Sequence, residues 1–66
     1  MAKKYEVTFF DLGMESFTED MINPVIEVGN ILTLQCGDQV KITNIRLLEP
    51  NDGICWSEAQ VDIDWV

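Results

Sequence analysis

Val40-Lys41-Ile42-Thr43-Asn44-Ile45-Arg46-Leu47 changes phase in its middle. Val40 and Ile42 fall on one side of a period-two pattern, while Ile45 and Leu47 fall on the other. A regular strand would send these two pairs to opposite faces. A bulge near Thr43-Asn44, or a bend carrying the strand from one sheet to another, keeps all four buried. The segment therefore predicts a strand that turns a corner, and with it a curled sheet or small open barrel.

On the C-terminal side, Glu49-Pro50-Asn51-Asp52-Gly53 has Pro and Gly placed for a turn, and a last strand is expected from Ile54 to Trp65. On the N-terminal side, Gly37-Asp38 and Gly29-Asn30 are hairpin signals. They bracket a strand at Ile31–Cys36 and follow another at Val25–Val28, where three of four residues are β-branched. Asn23-Pro24 opening a second short helix through Val28 is the alternative there. Lys4 to Leu12 alternates in period two and ends at Gly13, which reads as the first strand. Between these, Ser16-Phe17-Thr18-Glu19 fits a capping box, and Phe17 and Met21 would share a helical face. Pro24 limits that helix to about two turns. The expected class is α+β: a curled antiparallel sheet or small open barrel of about five strands, in the order β-α-β-β-β-β, packing one short helix.

At 66 residues the chain is expected to form one domain over 1–66. A chain of this size buries only ~60% of its unfolded surface, so the core is small. With 47% hydrophobic residues it still has enough apolar surface to collapse. No apolar run approaches the ~20 residues of a membrane-spanning helix. Met1-Ala2-Lys3-Lys4 leads into Tyr5-Glu6-Val7-Thr8 rather than an apolar stretch, so no secretory signal is read and a cytoplasmic location is expected. Cys36 and Cys55 read as small buried hydrophobes in a reducing compartment, with a disulfide open only to an exported chain. Histidine is absent, which removes Ser-His-Asp and Cys-His catalysis and His-ligated zinc. No motif names a reaction, a cofactor or a ligand.

Charge carries more information. The net charge is −8, which disfavours direct binding to nucleic acid or an anionic membrane. From Tyr5 onward all twelve acids face only Lys41 and Arg46, while Lys3 and Lys4 sit at an end expected to be mobile. In the last strand Ala59, Val61, Ile63 and Trp65 share one parity and Glu58, Gln60, Asp62 and Asp64 the other. With the apolar side packed, the second side becomes an acidic stripe repeating every ~6.7 Å. Glu15, Glu19 and Asp20 cluster at the expected helix, and Glu49 and Asp52 on the turn before the stripe. Acidity serving only solubility is the plain alternative. Trp56 shares parity with Glu58 and reads either as core or, beside the stripe, as an interface anchor. Phe10 and Phe17 are further rim candidates. Asp62-x-Asp64 with Glu58 or Asp52 as a hard-cation site is weaker, because calcium takes six to eight oxygens, usually from a loop. A catalytic carboxylate pair needs a pocket that a chain this short has little room to build, so no enzymatic activity is expected.

In size and charge the chain resembles the small acidic proteins that phages and mobile elements encode against host defence, including anti-CRISPR proteins and DNA-mimic inhibitors of restriction or repair enzymes. The resemblance rests on Glu15, Glu19, Asp20, Glu49, Asp52, Glu58, Asp62 and Asp64, with the short length and lack of histidine. That class shares no fold, so the likeness implies function only. It implies an inhibitor that mimics DNA and binds the basic nucleic-acid-reading surface of a host defence complex, in the host cytoplasm and without a cofactor. A single carboxylate ladder is too sparse for this, since duplex DNA carries one charge per ~1.7 Å of axis, so several clusters must combine. The alternative is a β-rich interaction or assembly module with incidental acidity, as a homodimer hiding Phe10 and Trp56. Target and oligomeric state are not encoded in any of these signals.

Overall fold

The computed structural model describes residues 2–11 and 15–66. They form β1 (Lys4–Asp11), β2 (Glu15–Ile22), β3 (Ile31–Thr33), β4 (Gln39–Leu48) and β5 (Ser57–Trp65). All five belong to one sheet in the order β2-β1-β5-β4-β3, curled into a half-barrel. β1 and β5 run parallel in the middle, and the other neighbours pair antiparallel. Among the described residues there is no helix, and so none long and apolar enough to cross a membrane.

The inner face is the core. Tyr5, Val7 and Phe9 of β1, Val40 and Ile42 of β4, and Ala59, Val61 and Ile63 of β5 are buried there. Leu32, Leu34 and Ile26 close it from the β3 side and the β2–β3 connection. Each large buried side chain contributes about 1.5–3 kcal/mol of transfer free energy.

The phase change in β4 is resolved by a bulge where the sequence places it. The β4–β5 register slips between Ile42 and Asn44, and Ile45 then packs half-buried opposite Val61. A second slip follows between Ile45 and Leu47, which sets Leu48 opposite Ala59 and leaves Leu47 opposite Gln60, exposed. Three of the four apolar residues are thus covered, not all four.

Other expectations are corrected. The class is all-β, not α+β: the expected helix at Ser16–Glu19 is β2. A capping box is worth about 1 kcal/mol, and a two-turn helix lies well below the ~12 residues at which isolated helices become marginal. As a strand, the same residues pair with β1 over eight positions, and Phe17 stacks on Phe9 (centroids 5.2 Å apart) and on Trp65 (5.9 Å). The sheet is mixed rather than antiparallel, because β1 lies parallel to β5. Val25–Val28 is a connection and not a strand: Val25 and Val28 are exposed, and only Ile26 is buried. Gly29 turns with φ +91° as the hairpin signal requires, but no strand precedes it. Gly37, at φ +94°, does turn a hairpin, between β3 and β4. The strand between these turns, Ile31–Thr33, and the last strand, Ser57–Trp65, are both shorter than expected. Leu12 and Gly13, the expected end and break of the first strand, lie outside the described residues.

Cys36 and Cys55 are exposed, not buried, because each sits in a connecting loop rather than on the inner face. The N-terminal lysines are held in place. Asn23 donates its N–H to the Lys3 carbonyl (2.6 Å), its Oδ1 accepts from Lys3 N (2.7 Å), and Lys4 opens β1.

Candidate functional site: the outer acidic row

Period two and the register together decide which side chains meet on the outer face. Glu6 of β1 is registered with Asp20 of β2 on one side and with Glu58 of β5 on the other. Three carboxylates therefore lie in one row across three strands, ~4.8 Å from strand to strand. Glu49, on the loop after β4, extends the row. Its N–H donates to the Glu58 carbonyl (3.1 Å), and its carboxylate accepts from Glu58 N–H (2.7 Å). Gln60 Nε2 donates to Glu58 Oε1 at 2.9 Å. No basic side chain forms an ion pair with this row among the described residues.

The loop carrying Glu49 is clamped by Asn51. Its Nδ2 donates to the carbonyls of Lys4 (2.6 Å) and Cys55 (2.9 Å) and lies 3.0 Å from Ser57 Oγ. Its Oδ1 accepts from Gly53 N–H (2.7 Å). Tyr5 donates its hydroxyl proton to the Glu49 carbonyl at 2.7 Å. This fixed loop sets Trp56, 49% exposed, beside Glu6, Glu49, Ser57 and Glu58 around a recess of about 240 Å³.

The other end of the outer face is built differently. Asp62 of β5 accepts from Arg46 Nε (3.0 Å) and Nη2 (2.7 Å) and from Asn44 Nδ2 (3.2 Å). The Arg46 hydrogen bonds, then that of Asn44, hold its carboxyl below the ordinary value of 3.8. The same guanidinium lies 4.0 Å over the Phe10 ring, on the strand next to Asp62. Asp64 is registered opposite Lys41. The stripe on the last strand is thus split: Glu58 joins the open row, while Asp62 and Asp64 face cations.

The remaining residues named from the sequence scatter. Glu19 turns to the inner side, where it accepts from Gln35 N–H at 3.0 Å. Glu15 opens β2 opposite Asp11, at the far end of the sheet. Asp52 caps its own turn through Ile54 N–H (2.9 Å). Phe17 packs against the core, and Phe10 is half-buried beneath Arg46. Asp20, Glu49, Glu58 and Trp56 are the ones that gather. Glu6, at the centre of the row, was readable only as an outward residue of the first strand, because its neighbours depend on the β1–β5 pairing.

The row can attract and orient cations on a partner. It has no nucleophile–base pair, and among the described residues no three His, Cys, Asp or Glu side chains are grouped to hold a metal ion. No protein-family model, no curated protein and no solved structure matches this chain.

Proposed function

We propose that this protein is a non-enzymatic inhibitor that stands in for a nucleic-acid backbone and occupies the basic reading surface of a host defence complex, of the kind a CRISPR effector uses to recognise target DNA. The observation that carries this reading is the row Asp20–Glu6–Glu58, extended by Glu49 and rimmed by exposed Trp56. The three carboxylates are carried on neighbouring strands spaced ~4.8 Å apart, closer than the ~6.7 Å repeat along one strand. Like charges this close cost folding stability. Their concentration is instead suited to a cluster of arginines and lysines on a reading surface, with steering that weakens as salt rises. Trp56 supplies the flat apolar contact that anchors an interface.

Displacement of labelled duplex DNA from purified CRISPR effector complexes tests the proposal. The protein is expected to displace the duplex, and its own direct binding to the complex should be weaker at 200 mM than at 50 mM salt, in the manner of phosphate contacts. Reversing Glu6→Lys and Glu58→Lys together should abolish displacement, while Asp62→Asn should leave it nearly intact. Equal displacement by the double reversal, or none by the parent protein, overturns the proposal.

A further inference from the structure

The half-barrel has two free edges, and they are not alike. β3 has three residues, whereas β2 runs for eight, with no bulge in its register and no proline or lysine between Glu15 and Ile22. Long, regular edges are usually blunted by such devices or by charge, because their free backbone groups template another strand, and on β2 only the acids Glu15, Glu19 and Asp20 serve that purpose. The hydrogen-bonding phase identifies those groups. Asn23 N–H bonds the Lys3 carbonyl, and the β1–β2 register continues from that pair without a slip. Alternate pairs exchange hydrogen bonds, so Ser16, Thr18, Asp20 and Ile22 turn their N–H and C=O groups away from β1 and toward the open edge.

Beside this edge lies a groove of about 320 Å³ between β2 and the β3 region, lined by Met21, Ile22, Pro24, Leu32, Leu34 and the stems of Glu19 and Gln35 among others. The Gln35 N–H to Glu19 carboxylate bond bridges it.

We infer that β2 takes up an extended, cationic segment of a partner protein as a sixth strand. Strand addition by main-chain pairing, with alternate side chains read on two faces, is a general recognition mode. The positive charge follows from β2 itself, which carries Glu15, Glu19 and Asp20 and no base. On the outer face the incoming strand meets Ser16, Thr18, Asp20 and Ile22, and the side chain beside Asp20 continues the row to Glu6 and Glu58 and must be cationic to fit it. On the inner face it meets Glu15 and Glu19 interleaved with Phe17 and Met21, beside the groove. Net charge disfavours a second copy as the occupant, since each β2 would bring Glu15, Glu19 and Asp20 and no base to the shared edge. This goes beyond the proposed function, because it uses the backbone of β2 and not the outer row alone.

The probe is an end-blocked octapeptide of alternating Lys and Val, read by amide hydrogen exchange of the intact protein. Peptide is expected to slow exchange at the Thr18 and Asp20 amides by about tenfold or more. The same peptide, N-methylated at alternate residues on its pairing edge, keeps its charge and should give no protection there. Thr18→Pro removes an N–H that bonds nothing within the sheet, so the fold should persist while peptide affinity falls about tenfold or more. The Glu6→Lys, Glu58→Lys protein should still protect both amides, with weaker affinity, which separates this inference from the proposed function. Equal binding of the methylated peptide, protection confined to other strands, or protection of Thr18 and Asp20 by rising protein concentration alone would each overturn it.

Discussion

The two ends of the outer face draw on the same strands, and on β5 the same outward parity, yet carry opposite electrostatics. At one end Glu58 meets Glu6, Asp20 and Glu49 with no ion pair; at the other, four residues along the same strand, Asp62 meets Arg46 and Asn44. A carboxylate on a strand is defined by what the neighbouring strands bring to it. The acidic end spends folding stability on a surface that attracts cations, while the paired end gives up its charge to packing over Phe10.

The largest effect tests whether the two ends belong to one folding unit. Phe9 is fully buried beneath both, and Phe9→Ala is expected to cost about 3–5 kcal/mol in chemical denaturation. Trp56 and Trp65, followed separately in single-tryptophan variants, should report one shared transition. Two distinct midpoints would break the comparison into independent regions.

Asn51→Ala acts on the acidic end alone. It removes a half-buried amide that bonds both flanks of the loop, at about 1–3 kcal/mol, and leaves Glu49 and Trp56 without their clamp. Trp56 fluorescence anisotropy should fall, while the Arg46–Asp62 contact, followed by the Arg46 side-chain resonances, stays unchanged.

Arg46→Ala acts on the paired end, and should make the two ends alike. With both partners partly exposed and screened by solvent, the loss of the ion pair and ring contact should lower stability only slightly. The Asp62 carboxyl should then return toward its ordinary 3.8 in an NMR titration. The pH dependence has a definite sign. Because Asp62 is held below 3.8 in the folded state, its contribution is present above that value and is lost as pH falls through the lower folded one. Wild type and Asp62→Asn should therefore differ in thermal stability at neutral pH and converge in strong acid.

The smallest effect sits at the centre of the row. Glu6→Gln relieves repulsion from Asp20 and Glu58 and should raise stability by a few tenths of a kcal/mol at low salt. The gain should fade toward 1 M salt, where the screening length is about 3 Å. A loss of stability would mean that Glu6 is held by an attractive contact instead.

How far the sequence foretold this follows from the range of each signal. The bulge near Thr43-Asn44 was legible, because burial of Val40, Ile42 and Ile45 leaves few other solutions. So were β1, the Gly37 turn and the outward parity of Glu58 and Asp62. The segment Ser16–Glu19 misled because a local cap pattern competes with a tertiary gain, the Phe17 stack, that no local window contains. Which acids meet was hidden for the same reason: Glu6 and Glu58 are brought together only by a pairing between strands at opposite ends of the chain. Asn51, readable as a turn residue, reaches back to Lys4 through that same closure.

The parallel pairing of β1 with β5 has a consequence for how the protein is made. The centre of the sheet joins the first strand to the last, so before β5 docks only the β1–β2 and β3–β4 hairpins can form. Neither can bury its inner face until β5 emerges and slots between them. Contacts that span the whole sequence close slowly and leave apolar faces uncovered meanwhile. During that interval, the dense negative charge keeps nascent chains apart.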